Sequence, residues 1–179
     1  PTRPPNSRRG GHSRRKRGTE PVDERDALYR VERLLAEYAH CIDQDRLEQW
    51  PDLFTDDCFY QVIAAANFER GLPMGLIYAD SKGMLRDRVA ALRQANIYEP
   101  QRYRHLISCT VIVDASRPSR VQAESHYLVV RSMQAGASEV FSAGRYLDVV
   151  DLASPRARFR EKRVIHDNDQ VDTLLAIPL

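Results

Sequence analysis

The sequence has few of the residues and spacings that hold a metal ion or a disulfide framework. Its three cysteines, Cys41, Cys58 and Cys109, are an odd number and lie far apart in the chain. There is no Cys-x-x-Cys pair and no His-x-x-x-His pair, although such spacings are typical of metal sites. Because each cysteine lies in an apolar pattern, we expect reduced thiols in the core of a cytoplasmic protein. The sequence therefore predicts no metal site in this chain.

Long apolar runs and glycine-rich loops are also missing. No run of about 18 or more apolar residues occurs, so we expect no membrane-spanning helix. The basic N-terminal residues are not followed by an apolar segment, which argues against a secretory signal. Gly71 and Gly75 fit neither glycine-rich phosphate-binding pattern, and there is no Gly-x-Ser-x-Gly motif. These absences argue against a membrane protein, a nucleotide-binding enzyme and an α/β-hydrolase.

Acidic residues are missing from the first 19 positions. Residues 1–19 contain seven of the 27 Lys and Arg residues of the chain, none of its 25 acids and no aliphatic side chain. Such a segment cannot bury enough apolar surface to offset its ordering entropy, so we predict a disordered basic extension. No aromatic residue lies among its arginines, and the rest of the chain is net acidic. Both features argue against a nucleic-acid partner. Residues 20–179 are predicted to form a single domain.

Amphipathic periodicity predicts two main helices. The first runs from about Val22 to Ile42, with Asp23 at its start and apolar residues at steps of three and four. Between the two main helices, a short additional helix would contain Trp50, which we expect to be a core residue. A helix after Asp80 has one apolar face. The apolar positions of the two main helices are Leu28, Val31, Leu35, Tyr38 and Ile42, and Leu85, Val89 and Leu92.

Strands account for most of the remaining pattern. Cys58 to Ile63 alternates, and Thr55 to Asp57 before it is predicted to be a turn. Four long strands follow in the second half of the chain, joined by short links that imply an antiparallel meander. The predicted fold is an α+β cone, in which a strongly curved antiparallel or mixed sheet wraps around the first helix.

The alternation within these strands predicts which residues share a face. In the first long strand, His105, Ile107, Cys109, Val111 and Val113 are predicted to share one face. In the next strand one side carries Val121, Ala123, Ser125, Tyr127 and Val129. The charges of the last strand require a wet face. These charged residues are Arg156, Arg158, Arg160 and Lys162.

Two sets of polar residues are candidates for a functional site. Asp43, Tyr60, His105 and His126 lie in or beside apolar elements, and a buried His–Asp pair can transfer protons. The cluster Arg102–His105 lies at a strand entrance and contains the residue types that are enriched in protein interfaces. The cluster is therefore either a solvated rim or a subunit interface.

An ordered set of segments resembles the small (beta) subunit of aromatic-ring-hydroxylating dioxygenases, over roughly Leu28 to Leu179. Within this family, the segments are most similar to the small subunits of terephthalate-type dioxygenases. The next most similar are the small subunits of dioxygenases that act on ortho-substituted benzoates. The segments are Ile42-Asp43, Glu48–Tyr60, Ala79–Ser81, Asp87–Arg93, Asn96–Glu99, Arg102–Ser108, Val130–Ser132 and Phe141–Tyr146. Residues 1–19 lie outside the resemblance.

The resemblance implies the cone-shaped fold of nuclear transport factor 2 and ketosteroid isomerase (NTF2-like). It implies a non-catalytic structural subunit that pairs with a large (alpha) subunit, usually as α3β3. A Rieske [2Fe-2S] cluster and a mononuclear Fe(II) would lie in that large subunit, which receives electrons from NADH through a reductase or ferredoxin. No catalytic, cofactor or metal residue is then expected in this chain. The expected interface residues are Arg102, Tyr103, Arg104, His105 and Arg131.

Two other functions remain open at this point. One is a free-standing cone-fold isomerase, dehydratase or cyclase, with Asp43, Tyr60 and His105 lining a pocket. The other is a binding module for a small ligand, which needs the cavity without the acid–base pair. The geometry of the cone interior separates these alternatives, because an enzyme needs the pair to face an open cavity.

Overall fold

The computed structural model describes residues 22–73, 75–95, 101–117, 119–134, 136–168 and 177–179. The predicted basic extension lies outside the described residues. A single 3-10 turn, Trp50–Leu53, precedes the first strand. The described helices and strands are α1 (Glu24–Asp43), β1 (Phe54–Ala64), α2 (Ala65–Glu69), β2 (Ile77–Ala79), α3 (Lys82–Ala95), β3 (Gln101–Arg117), β4 (Arg120–Met133), β5 (Ser138–Asp151) and β6 (Arg158–His166).

The strands form one six-stranded mixed sheet in the order β2-β1-β6-β5-β4-β3. Strands β3 to β6 form the predicted antiparallel meander. Strand β1 joins β6 in parallel and β2 in antiparallel orientation. The predicted α+β fold is confirmed. The pattern did not reveal β2, which has three residues, or α2, which has five.

Helix α1 forms as its sequence pattern predicts, and four of the five predicted apolar positions are buried, whereas Leu28 is half-buried. The Asp23 side chain caps it by accepting a hydrogen bond from the N–H of Arg25 at 3.2 Å. Glu24 and Asp26 lie in the first turn, where the positive end of the helix dipole favours acids. The apolar face of the helix is buried against the sheet. Its buried residues are Ala27, Val31, Leu34, Leu35, Tyr38, Cys41 and Ile42.

Aromatic rings fill the centre of the cone. Trp50 is fully buried and its ring centroid lies 5.3 Å from Phe54 and 5.2 Å from Tyr60, so its predicted role in the core is confirmed. The predicted helix around Trp50 is wrong, because only the 3-10 turn forms and Phe54 already starts β1. The predicted turn over Thr55 to Asp57 is wrong for the same reason.

A bulge in β3 changes which residues share a face. Cys109 has a φ of 55° in the left-handed region, and the β3–β4 register shifts between Ser108 and Val111. The extra residue moves Val111 and Val113 onto the outer face, where their side chains are exposed. The prediction that Cys109, Val111 and Val113 share a face with His105 is therefore wrong. Cys41 and Cys58 are buried as expected, but Cys109 is exposed.

A second register shift places Lys162 inside the cone. Strand β6 pairs Phe159 with Val150 and Glu161 with Val149, with a shift between these pairs. Because of this shift both Phe159 and Lys162 are fully buried, although they are three positions apart. The prediction that Lys162 lies on a wet face with the neighbouring arginines is therefore wrong.

The buried indole gives a direct test of the core. Trp50→Ala should lower the free energy of unfolding by about 3–5 kcal/mol, because it removes a large side chain and leaves a cavity. Urea unfolding followed by circular dichroism measures the change. Leu72→Ala is the control, because Leu72 is exposed and its truncation should cost less than about 0.5 kcal/mol. Equal effects of the two substitutions would contradict the packing described here.

Candidate functional site

Asp43 and His105 form a close pair where the end of α1 meets β3. The carboxylate oxygen Oδ2 of Asp43 accepts the backbone N–H of His105 at 3.0 Å, and Oδ1 lies 2.6 Å from Nδ1 of the ring. Because a carboxylate accepts hydrogen bonds, this geometry places a proton on Nδ1. The side chain of His105 is fully buried and that of Asp43 is 11% exposed. The sequence-predicted His–Asp pair is therefore brought together.

The arrangement around the pair fixes the helix to the strand. Asp43 is the last residue of α1, so its side chain projects past the helix end toward β3. The guanidinium of Arg104 donates to the backbone carbonyl of Asp43 at 3.4 Å and to that of Tyr103 at 2.8 Å. On the far side of the ring, His105 Nε2 is buried and has no hydrogen-bond partner among the described residues. The ring meets Tyr38 edge-on, with 6.5 Å between the centroids.

The other two acid–base candidates do not join this pair. The hydroxyl of Tyr60 bonds to Tyr38 and to the backbone of Leu179 in the interior. His126 is exposed on β4, opposite Ser108 of β3. The structure thus brings together two of the four candidate residues.

A buried ion pair lies deeper in the cone. Lys162 Nζ is 3.2 and 3.1 Å from the two carboxylate oxygens of Asp148, and it lies 3.5 Å from the ring centroid of Tyr146 and 4.6 Å from that of Tyr38. Burial raises the pKa of Asp148 to about 6 and lowers the pKa of Lys162 to about 8, because desolvation disfavours both charges. The pair was missed because the register shift in β6 is invisible in the alternation of its residues.

The structure divides the five predicted interface residues between two faces. Arg102 and Arg104 are exposed, whereas Tyr103 is buried and the His105 ring is fully enclosed. Arg131 pairs with Glu139 on the neighbouring strand, and its guanidinium lies 4.5 Å above the Phe141 ring. The role of these residues at an interface stays a prediction.

The outer β3 face also carries apolar side chains that the sequence analysis did not connect. We use this name for Arg102, Arg104, Leu106, Val111 and Val113. The exposed fractions of the last three are 53%, 53% and 62%. Among the strands that the structure describes, β3 lies at the edge of the sheet and is hydrogen-bonded to β4. An exposed apolar edge of this kind is a candidate surface for contact with another chain.

Two absences among the described residues bear on other classes of function. No group of three or more His, Cys, Asp or Glu side chains among them could hold a metal ion. None of the helices within the described part of the chain is long and apolar enough to cross a membrane.

The fold and the site together define a class of protein. The structure is a cone-shaped α+β domain with a packed aromatic interior, a His–Asp pair at one end of α1 and an apolar edge strand. This is the architecture of nuclear transport factor 2-like dioxygenase beta subunits. The family model described as "Ring hydroxylating beta subunit" matches residues 37–173. The chain therefore belongs to the ring-hydroxylating beta subunit family.

Similar proteins agree with this assignment. The chain is 45% identical to the anthranilate 1,2-dioxygenase small subunit of Burkholderia cepacia over 79% of this chain and 88% of that protein. It is 42% identical to the terephthalate 1,2-dioxygenase terminal oxygenase component subunit beta 2 of Comamonas sp., over 80% and 93% of the two chains.

A solved structure supports the fold at the same level of similarity. It is a beta subunit assigned to an aromatic-ring-hydroxylating dioxygenase of Novosphingobium aromaticivorans. The two chains are 43% identical and superpose with a TM-score of 0.80, over 87% of this chain and 98% of the other. The similarity found in the sequence to this family is thereby confirmed.

The buried ion pair can be tested by removing one charge or both. Lys162→Met alone should cost about 3–5 kcal/mol of unfolding free energy, because Asp148 stays buried without its partner. The double variant Lys162→Met with Asp148→Leu should be neutral or up to about 4 kcal/mol more stable. Urea unfolding at pH 7 distinguishes these cases. A double variant as unstable as the single one would show that the pair itself carries the stability.

The pKa shifts also give the sign of the pH dependence. The folded-state pKa of Asp148 is raised from 3.8, so its contribution to stability falls as pH rises from about 4 to about 6. The folded-state pKa of Lys162 is lowered from 10.5, so its contribution rises again between about pH 8 and 10.5. The stability of the native chain relative to the double variant should therefore be lowest between about pH 6 and 8.

The His–Asp pair is expected to support structure through two hydrogen bonds. Asp43→Ala should lower the free energy of unfolding by about 1–3 kcal/mol, because two buried donors of His105 lose their acceptor. Chemical denaturation measures the loss. The matched control is Asp87→Ala on α3, where the side chain is exposed and the expected change is less than about 0.5 kcal/mol. An unchanged stability of Asp43→Ala would refute this role.

Proposed function

We propose that this chain is the non-catalytic, structural beta subunit of a Rieske non-haem iron dioxygenase that acts on a benzoate-type aromatic acid. The observation that carries the proposal is membership of the ring-hydroxylating beta subunit family over residues 37–173. The relatives that are 42–45% identical belong to dioxygenases of anthranilate and terephthalate, which are both benzene carboxylic acids. This similarity supports the class of substrate, whereas the particular acid is decided by the large subunit.

The proposed partner is a large (alpha) subunit, in an α3β3 assembly located in the cytoplasm. Under this proposal the large subunit supplies the Rieske [2Fe-2S] cluster and the mononuclear Fe(II), and it receives electrons from NADH through a reductase or ferredoxin. The name "small subunit" of the Burkholderia relative supports the existence of a larger partner. The chain then contributes shape and contact surface to the enzyme and takes no part in the reaction.

The proposed contact surface is the outer β3 face. Its guanidinium groups, Arg102 and Arg104, can pair with carboxylates or carbonyls, while Leu106, Val111 and Val113 supply apolar area. Tyr103, His105 and Arg131 were predicted to belong to the same interface. Their side chains support the strand from inside or pair within the chain, so we propose that they hold the outer face in shape.

The competing function, a free-standing isomerase, dehydratase or cyclase, rests on the distance between Asp43 and His105. In its favour, the carboxylate lies 2.6 Å from the ring nitrogen, as an acid–base pair requires. Against it, the hydroxyl of Tyr60 is engaged elsewhere, and the rings of Trp50, Phe54 and Tyr60 pack against one another in the interior. These contacts therefore favour a structural role for the Asp43–His105 pair over an acid–base role.

Co-expression with the large subunit encoded beside this chain tests the proposal. The two chains should purify together and oxidise a benzoate-type acid when NADH and the reductase are supplied, whereas this chain alone should consume no oxygen. Leu106→Asp should weaken assembly at least about tenfold, because it places a charge in the apolar contact. Size-exclusion chromatography over a range of concentrations measures assembly.

Leu76→Asp is the matched control. Leu76 is exposed to the same extent, 53%, but precedes β2 at the opposite edge of the sheet. It should change assembly less than about twofold, because substitutions outside an interface are close to neutral. A stable monomer that never binds the large subunit would contradict the proposed function. Normal assembly of Leu106→Asp would contradict only the proposed contact surface.

A further inference from the structure

The segment Ile177–Leu179 lies inside the cone and is bound there as a ligand would be. Ile177 is 7% exposed and Leu179 is 2% exposed, and Pro178 between them is buried. The hydroxyl of Tyr38 donates to the backbone oxygen of Leu179 at 2.5 Å, and the hydroxyl of Tyr60 donates to the same oxygen at 3.3 Å. The N–H of Leu179 donates to the Tyr60 hydroxyl at 3.3 Å.

The two tyrosines suit the recognition of an oxygen acceptor. Both are fully buried, and burial raises the pKa of Tyr38 well above its usual value and that of Tyr60 to about 12. Both hydroxyls therefore keep their protons in neutral solution and act as donors. They lie 3.4 Å apart, so a single oxygen atom can bind both. This is a preformed donor pair in an apolar setting.

Two rings that pack against Tyr38 carry further buried polar atoms. The Tyr146 hydroxyl and His105 Nε2 are buried and have no hydrogen-bond partner among the described residues. The centroids of their rings lie 6.2 and 6.5 Å from that of Tyr38. Buried polar atoms are normally paired, and an unpaired group calls for an explanation. The rings that carry these two atoms therefore pack against Tyr38, in the same interior as the donor pair.

We propose that the cone interior is a binding site for a small apolar molecule with an oxygen acceptor at one end, such as a short branched or aromatic carboxylic acid or its amide. In the native chain, Ile177–Leu179 occupies this site in cis. A covalently attached group has an effective concentration in the millimolar range or above, so free ligands compete poorly with it. The inference concerns the interior and goes beyond the proposed function, which uses the outer β3 face.

A variant that lacks residues 177–179 tests the site by adding the missing group back. The probes are the tripeptide Ile-Pro-Leu, 4-methylpentanamide, 4-methylpentanoate and benzoate. The shortened chain should unfold at a lower temperature than the full chain. A probe at ten times its Kd should raise the midpoint by about 3–6 °C, and the same probe should shift the full chain by less than about 1 °C. Calorimetric titration gives the Kd.

The tyrosine donors provide the specificity control. Tyr38→Phe with Tyr60→Phe in the shortened chain should weaken binding of the amide at least about tenfold, because the acceptor oxygen loses both donors. The comparison of amide and carboxylate shows whether the site takes a neutral or a charged acceptor. Equal shifts in the shortened chain, the full chain and the tyrosine variant would overturn the proposal, and so would the absence of any shift in the shortened chain.

A second variant covers the case in which the shortened chain does not fold. Leu179→Ala keeps the backbone oxygen on the tyrosines and removes only the apolar part of the occupant. The probe is then 2-methylpropan-1-ol, whose branched end replaces the isopropyl group that the substitution removes. It should raise the unfolding midpoint of Leu179→Ala by at least about 2 °C more than that of the native chain. An equal response of both proteins would overturn the proposal. All of these shifts are measured on this chain alone, without the large subunit, so the test can fail independently of the proposed function.

Discussion

The burial of Tyr38 is the constraint on which the rest of the structure depends. Its ring lies at the centre of the cone, with the rings of Trp50, Phe54 and Phe159 within 6.4 Å of it. A buried tyrosine needs a partner for its hydroxyl, and here Leu179 supplies the acceptor. The same ring lies under the ammonium group of Lys162, which stabilises a charge inside the domain. The one apolar face of α1 therefore organises the core, the buried ion pair and the position of the chain segment in the interior.

Because side chains fill the interior in this way, the inner and outer surfaces of the sheet have different roles. The inner surface is used by aromatic packing and by Ile177–Leu179. The outer surface of β3 has leucine and valine side chains that are exposed among the described residues. A domain with a closed interior and an open apolar edge is suited to bind another protein. This physical reasoning and the family membership lead independently to the same kind of protein, a subunit.

The sequence predicts the elements better than it predicts their register. The periodicity of Val31, Leu35 and Tyr38 located α1 correctly because a helix has one period along its whole length. The bulge at Cys109 could not be foreseen, since apolar residues alternate both before and after it and a one-residue slip leaves no local mark. Lys162 was misplaced for the same reason. The Asp43–His105 pair was foreseen only as a possibility, because 62 positions separate the two residues and their contact depends on the complete fold.

The geometry of the His–Asp pair suits both a structural role and an acid–base role, and only the surroundings of the pair distinguish these two roles. Asp43 accepts two hydrogen bonds from a single residue, which is an effective way to attach the end of a helix to a strand. The same contact leaves Nε2 of His105 directed away from the carboxylate, as a general base requires. A base acts only on a substrate within reach, and here the ring edge meets Tyr38, whose hydroxyl is bound to Leu179. The Asp43–His105 geometry alone therefore does not distinguish a structural pair from an acid–base pair, and the contents of the interior are the feature that separates the two.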